Sequence, residues 1–214
     1  MMYIGGQGNI RLRFENGQIK FGANNFLPRS RTEFIRNGVL PVIIDTPSDQ
    51  PGGVSDTYRF GEEQVQDARA ILAELRKRYP GLPIFVVGTS RSTLTAASLG
   101  RALGTQVDGI VLSSSISVAS AKAGDSSLQG FDFTVIKAPL LFVHHRDDSC
   151  KVTPYGAAQR LAQGYPLVSV RGGKPAESGP CDPFAAHGYF GKEAETVDAI
   201  AGWMLKKPFA KDID

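Results

Sequence analysis

The chain has 214 residues, of which 42% are hydrophobic and 21% are charged, and this composition is typical of a globular protein. The length predicts a single domain over residues 1–214. With 24 basic and 21 acidic residues, the net charge of +3 is too small to indicate nucleic-acid binding. No apolar stretch of the sequence approaches the length of a membrane span, and MMYIGGQGN at the start has no signal-peptide pattern.

Six apolar runs predict the strands of a sheet. In chain order they are residues 1–4, 39–44, 83–88, 107–113, 138–144 and 166–170. Their nearly continuous hydrophobicity is typical of parallel strands that are buried on both faces. Amphipathic stretches predict helices over residues 26–37, 61–79, 91–103, 154–163 and 191–206. The basic run Arg76-Lys77-Arg78 falls in the last turn of the second of these helices, where it complements the helix dipole.

The alternation of strands and helices predicts a doubly wound α/β fold, with a mainly parallel sheet of about six strands flanked by helices. In such folds, ligands bind beyond the carboxyl ends of the strands. We therefore expect the functional residues in the loops that follow the strands.

One serine follows the strand at residues 83–88, in the sequence Gly88-Thr89-Ser90-Arg91-Ser92, and directly precedes a predicted helix. A sharp turn from strand to helix exposes a serine hydroxyl above the sheet, and it needs small residues on both sides. Gly88 meets this need, whereas Ser92 stands where the pattern usually has glycine. A helix N-cap is the alternative role for Ser90.

An acidic loop and a histidine complete a constellation with Ser90. The strand at residues 138–144 leads into His144-His145-Arg146-Asp147-Asp148, and His187 lies in a loop before the last helix. A neutral imidazole accepts the hydroxyl proton when a serine attacks a carbonyl, and a carboxylate on its other nitrogen orients the ring. The order of these residues along the chain predicts that Ser90 is a nucleophile and His187 its base. An ordinary surface histidine is the alternative for His187.

These segments resemble the α/β-hydrolase family, and the resemblance covers most of the chain. The elbow GTSRS, the segment LLFVHHRDD and the terminal HGYFG match the three catalytic elements of the family. The family's acid usually lies four residues after a strand-terminal histidine, and counting from His144 this favours Asp148 over Asp147. The resemblance implies the α/β-hydrolase fold without its first two strands, which makes the strand at residues 39–44 an edge of the sheet.

The resemblance also implies an oxyanion hole built from two backbone N–H groups. One belongs to Arg91, and the other lies in the turn Gly5-Gly6-Gln7-Gly8, where Gln7 is favoured and Gly6 is second. A plain glycine turn is the alternative for this segment. A dinucleotide-binding motif is excluded because Arg11 stands where that motif has its third glycine.

Several further residues are expected near the cleft. We expect Gly6, Ser114 and His145 to contact substrate, and His144 to order the acidic loop through hydrogen bonds. Many lipases insert a lid in the connection that corresponds to residues 114–137, which is short and polar here, so we expect an open cleft without a lid. Other loop residues either border the cleft or are only solvated or engaged in local salt bridges; they are Arg29, Arg31, Asp45, Asp49, Tyr58 and Arg59.

The resulting prediction is a serine esterase that acts on small or accessible esters through an acyl-enzyme on Ser90, with no cofactor and no metal. A thioesterase, a peptidase or an acyltransferase would use the same three residues. A protein that binds a ligand without catalysis, on the same fold, is the alternative from another class.

The two cysteines concern the cellular compartment of the protein, and one strand concerns its oligomeric state. Cys150 follows the acidic loop and Cys181 precedes the histidine loop, so both are expected on the catalytic face. A disulfide between them would imply a periplasmic or secreted protein, and reduced thiols a cytoplasmic one, so the localisation stays open. The apolar edge strand, in which Pro41 lacks a backbone donor, predicts a homodimer as a hypothesis.

Overall fold

The computed structural model describes residues 1–21, 24–120 and 126–214 of the chain. Seven parallel strands of these residues form one sheet, and two more form a separate antiparallel hairpin. In chain order the strands are β1 (Met2–Tyr3), β2 (Arg13–Glu15), β3 (Gln18–Lys20), β4 (Ile43–Ile44), β5 (Phe85–Thr89), β6 (Gly109–Ser113), β7 (Leu140–His145), β8 (Leu167–Val170) and β9 (Asp212–Ile213). The hairpin consists of β2 and β3.

The strand order of the large sheet is β4-β1-β5-β6-β7-β8-β9. The predicted fold class is thereby confirmed, and β4 lies at one edge of the sheet as expected. The sheet has one strand more than the six that were predicted. The additional strand, β9, pairs with β8 through its backbone, for example through the bond from Ser169 N to Lys211 O of 2.7 Å. Its two residues are too few to give a hydrophobic pattern that would indicate a strand.

Helices cover both faces of the sheet. They are α1 (Phe26–Arg29), α2 (Arg31–Arg36), α3 (Asp56–Phe60), α4 (Glu62–Arg78), α5 (Ser92–Leu103), α6 (Tyr155–Leu161) and α7 (Glu193–Met204). The predicted helix at residues 26–37 is divided in two at Ser30, and α3 was not predicted. None of the helices within the described residues combines the length and apolar character needed to cross a bilayer.

Two hydrophobic clusters lie on opposite faces of the sheet because successive side chains of a strand point in opposite directions. In β5, Val86 belongs to one cluster and Val87 to the other. In β7, Phe142 and Val143 divide in the same way. The central strands β5 to β8 are therefore buried on both faces, as their continuous hydrophobicity predicted.

The connection that was predicted to lack a lid is described only in part, because residues 121–125 lie outside the described residues. Within its described part, residues 133–135 form a short 3₁₀ turn in which Phe133 is buried in the core.

Candidate active site

Ser90 lies in a sharp turn between β5 and α5. Its φ of 53° is in the left-handed region, which residues with a side chain rarely adopt. Its N–H donates to Ser113 O at 2.9 Å, which fixes the turn on the neighbouring strand β6. The turn requires glycine at position 88, because a Cβ there would lie only 2.2 Å from Ser92 O. The strand, turn and helix that the sequence predicted around Ser90 are thus present.

His187 lies between Ser90 and Asp148. The Ser90 Oγ is 3.0 Å from His187 Nε2, and His187 Nδ1 is 2.9 Å from Asp148 Oδ2. His187 and Asp148 are buried, whereas Ser90 is half-buried at the surface. When Nδ1 carries the proton and donates it to the carboxylate, Nε2 is free to accept the proton of the serine hydroxyl. The three side chains therefore form one series of hydrogen-bonding distances, in the order hydroxyl, imidazole and carboxylate.

Two further donors hold the Asp148 carboxylate. The Thr153 hydroxyl donates to Oδ2 at 2.8 Å, and Cys150 N–H donates to Oδ1 at 3.0 Å. Thr153 is fully buried, and sequence reasoning missed it because no motif marks a supporting hydroxyl. Asp147, by contrast, exposes 59% of its side chain. Of the two candidate acids, only Asp148 contacts His187.

His144 lies at the end of β7, beneath the acidic loop. Its Nε2 is 2.7 Å from Thr153 O and 3.5 Å from Asp148 Oδ2. Burial lowers the pKa of His144 to about 4, and this effect outweighs the Asp148 carboxylate, which acts in the opposite direction. The ring is therefore neutral near pH 7 and donates its Nε2 proton to Thr153 O. This is the ordering role that was expected of His144.

The structure corrects the expectation that Ser114 and His145 contact substrate. Ser114 is fully buried, and its Oγ lies 2.9 Å from His187 O and 3.0 Å from Tyr189 Oη. His145 is equally buried, with Nε2 3.0 Å from Gly172 O, and burial lowers its pKa. Both side chains are buried because the sheet is covered on both faces. Through the hydrogen bonds given above, they hold the loops that follow the strands.

The glycine turn at residues 5–8 packs directly against the serine. A Cβ on Gly5 would lie 2.7 Å from Ser90 Cβ and 3.3 Å from its Oγ, so this approach requires glycine. The turn is closed by a bond from Gly8 N to Gly5 O of 3.2 Å. Within the described residues, no group accepts a hydrogen bond from the N–H of Gly6, Gln7 or Arg91. These three N–H groups therefore have no protein acceptor among the described residues.

A small cavity of about 40 Å³ opens beside the serine. Its walls include Gly6, Asn25, Phe26, Thr89, Ser90, Cys181, Pro183, His187 and Gly188. The Oδ1 of Asn25 is buried there and has no hydrogen-bond partner among the described residues. A larger cavity, of about 580 Å³, lies on the other side of the glycine turn and is lined by neither Ser90 nor His187. The small cavity therefore defines the space next to Ser90 and His187.

A disulfide joins Cys150 to Cys181. The bond connects the loop of Asp148 to the loop of His187. The Cys150 N–H donates to the Asp148 carboxylate, and Cys181 lines the small cavity beside Ser90 and His187. Of the two alternatives for the cysteines, the disulfide is present. Asp148, Cys150 and His187 offer ligand atoms within 4.8 Å of one another, but the Cys150 sulfur is already bonded. Two side chains remain, fewer than the three or four protein ligands of a zinc site.

The sheet order and the strand-turn-helix that carries Ser90 define a hydrolase-like α/β fold. Five solved chains match this structure. One is described as the crystal structure of a novel pyrethroid hydrolase, PytH, with BIF. It is 12% identical, the match covers 95% of each chain, and the TM-score is 0.54, so the likeness shows a shared fold. No protein-family model matches the chain, and no curated protein matches it.

Proposed function

We propose that this protein is a serine hydrolase that cleaves carboxylic esters with short or accessible acyl groups. The observation that carries the proposal is the hydrogen-bonded series from Ser90 Oγ through His187 to Asp148, with distances of 3.0 and 2.9 Å. The similar solved structure is described as a hydrolase, which supports a hydrolytic function over ligand binding alone.

In the proposed reaction, Ser90 Oγ attacks the carbonyl carbon of the ester while His187 Nε2 takes the hydroxyl proton. The charge on the carbonyl oxygen is stabilised by the N–H groups of Arg91 and Gln7, with Gly6 as the second candidate in the glycine turn. The carbon–oxygen bond to the alcohol then breaks, and the alcohol leaves with the proton from His187. Water attacks the acyl-enzyme with His187 again as base, which releases the acid and restores Ser90. These steps need no cofactor and no metal ion.

The size of the cavity supports a short acyl group. Its volume of about 40 Å³ is well below the several hundred Å³ of sites that enclose drug-sized ligands. The cavity is bounded by Phe26, Pro183 and the disulfide, so a longer acyl chain has little room in it. We expect acetyl esters to react faster than butyryl esters, and octanoyl esters to react slowest. A longer alcohol portion can extend into solvent.

Hydrolysis of p-nitrophenyl acetate tests the proposal. Ser90→Ala should reduce turnover by a factor on the order of 10⁴ to 10⁶, because the acyl-enzyme can no longer form. Ser48→Ala, which changes an exposed serine outside the site, is the matched control and should leave turnover unchanged. Equal, slow turnover by the wild type and Ser90→Ala, together with no labelling of Ser90 by a fluorophosphonate, would refute the proposal.

The same assay separates the alternatives. A thioesterase, peptidase or acyltransferase would retain the Ser90 label but prefer a thioester, an anilide or an acceptor alcohol over water. A binding protein would remain folded, unlabelled and inactive.

We also propose a compartment and an oligomeric state for the protein. The disulfide supports an oxidising compartment, because cytosolic thiols are normally kept reduced. The edge position of β4, beside the exposed Leu40, supports a homodimer through that edge. Light scattering that finds a monomer at high concentration would exclude the dimer.

A further inference from the structure

Arg59 is the largest fully buried side chain of the described residues, with 1% exposure. It lies on α3, outside the series of Ser90, His187 and Asp148. Burial of a charged group is unfavourable unless the group is paired and hydrogen-bonded, so its partners indicate what it stabilises. Burial, assisted by the neighbouring Arg91, lowers the pKa of Arg59 to about 10, and the guanidinium therefore remains charged near pH 7.

The guanidinium joins the helix behind the nucleophile to the glycine turn. One terminal nitrogen donates to Ser92 Oγ at 2.6 Å, and the same nitrogen lies 3.3 Å from Thr95 Oγ1, both on α5. The other terminal nitrogen donates to Gly6 O at 2.8 Å. Its Nε lies 3.9 Å from the Asp56 carboxylate and has no hydrogen-bond partner within the described residues. The strong contacts of Arg59 are therefore those to α5 and to the turn.

Ser92 completes the connection. Its hydroxyl accepts from Arg59 and donates to Ile4 O, directly after β1. Ile4 and Gly6 stand on the two sides of Gly5, the residue that packs against Ser90. Arg59 and Ser92 thus hold the backbone on both sides of the contact with the nucleophile, and we call this pair the Arg59–Ser92 clamp. Glycine at position 92, as in the usual elbow pattern, could not make this connection.

The hydrogen bond from Arg59 to Gly6 O also constrains the direction of the Gln7 N–H, which is a proposed donor of the oxyanion hole. Gly6 C=O and Gln7 N–H belong to one planar trans peptide unit, so they point in opposite directions. A guanidinium that fixes the carbonyl therefore fixes the direction of Gln7 N–H. A charged donor on the carbonyl also polarises the peptide and strengthens its N–H as a donor.

We propose that Arg59 is a positioning residue which, with Ser92, orients the Gly6–Gln7 peptide so that Gln7 N–H donates to the oxyanion. The inference rests on the proposed esterase function and specifies how one half of its oxyanion hole is held. Arg59 contacts no reacting atom, and its effect is transmitted through Gly6.

The test compares Arg59→Met, Arg59→Lys and Ser92→Ala with the wild type. Arg76→Met is the matched control, because Arg76 also donates to a backbone carbonyl, Leu82 O at 2.9 Å, but lies at the exposed end of α4. The first readout is kcat and KM for p-nitrophenyl acetate, with the pH midpoint of kcat/KM. The second is the affinity for a trifluoromethyl ketone, whose adduct with Ser90 carries an oxyanion. The third is the ¹⁵N relaxation of the Gln7 amide.

Removal of one oxyanion donor typically lowers kcat by 10²- to 10³-fold. We therefore expect Arg59→Met to lower kcat by about 10²-fold and to weaken ketone binding in parallel, with KM nearly unchanged. The pH midpoint should not move, because the base and its acid are untouched. The Gln7 order parameter should fall from about 0.85 to below about 0.6. Ser92→Ala and Arg59→Lys should show the same pattern with smaller changes, and Arg76→Met should show none.

Each outcome decides the proposal. If Arg59→Met does not fold, Ser92→Ala and Arg59→Lys, checked by circular dichroism, take its place. A Gln7 amide that stays rigid in the folded variants would overturn the clamp, and so would a mobile amide with unchanged kcat and ketone affinity. A wild type that neither hydrolyses esters nor reacts with a fluorophosphonate would refute the esterase function instead. In that case the assignment of an oxyanion donor falls with it, and the relaxation data alone show whether Arg59 orders the turn.

Discussion

Removing the disulfide between Cys150 and Cys181 should destabilise the protein without changing its fold. The bond closes a loop of 31 residues between the acidic loop and the histidine loop. Loop-closure entropy for this length corresponds to about 3.7 kcal/mol at 25 °C. For a chain of this size, such a loss lowers the melting temperature by about 8 °C. Cys181 is exposed, so a phosphine reductant can reach the bond in the folded protein.

Thermal unfolding with and without reductant measures the effect. The double variant Cys150→Ala/Cys181→Ala is the control, because it has no bond to reduce and its melting temperature should not respond to the phosphine. Reduction of the wild type keeps both sulfur atoms, so it separates the loss of the bond from the loss of packing around the buried Cys150. A shift below about 2 °C on complete reduction, verified by thiol titration, would refute the loop-closure argument.

Two further predictions concern His144 and Gly88. The pKa of His144 is lowered from 6.5 in the unfolded chain to about 4 in the fold, so the unfolded state binds the extra proton between these values. Stability should therefore fall by roughly 3 kcal/mol as the pH drops from about 6.5 to about 4, and urea titrations of His144→Gln should show a smaller decrease. Gly88→Ala should destabilise the protein by about 1–3 kcal/mol or more, because its Cβ would lie 2.2 Å from Ser92 O. Gly52→Ala, at an open and exposed position, is the control and should have no measurable effect in the same urea assay.

The central strands and the three residues of the candidate site could be predicted because their signals are local. Continuous apolar runs identify β5 to β8, and parallel strands bring their carboxyl ends to one edge of the sheet. Ser90, Asp148 and His187 each follow such a strand, so topology alone brings them close together. The strand β9 and the hairpin of β2 and β3 could not be predicted in the same way. They have only two or three residues each, too few to show a hydrophobic period, although Ile213 of β9 is buried in the core.

The direction of a side chain near the cleft was harder to predict than its position. Ser114 and His145 follow or end central strands, so they lie close to the site, as expected. An antiparallel sheet with one solvated face would expose every second residue, but this sheet is covered on both sides. Alternation therefore gives no exposed face, and both residues are buried. Arg59 was expected to border the cleft, to be solvated or to make a local salt bridge, and it is buried against α5 and the glycine turn.

Ser92 shows why supporting contacts are difficult to predict from the sequence. As a departure from the elbow pattern, it counts against catalysis when it is judged by its neighbours alone. In the structure its hydroxyl bonds Ile4 O, 88 residues away, and Arg59, 33 residues away. Strand-end residues are brought together by sheet topology, which a sequence pattern encodes, whereas these contacts depend on how α3, α5 and the glycine turn pack against one another. The same substitution that weakens the motif therefore provides the hydroxyl on which the proposed clamp depends.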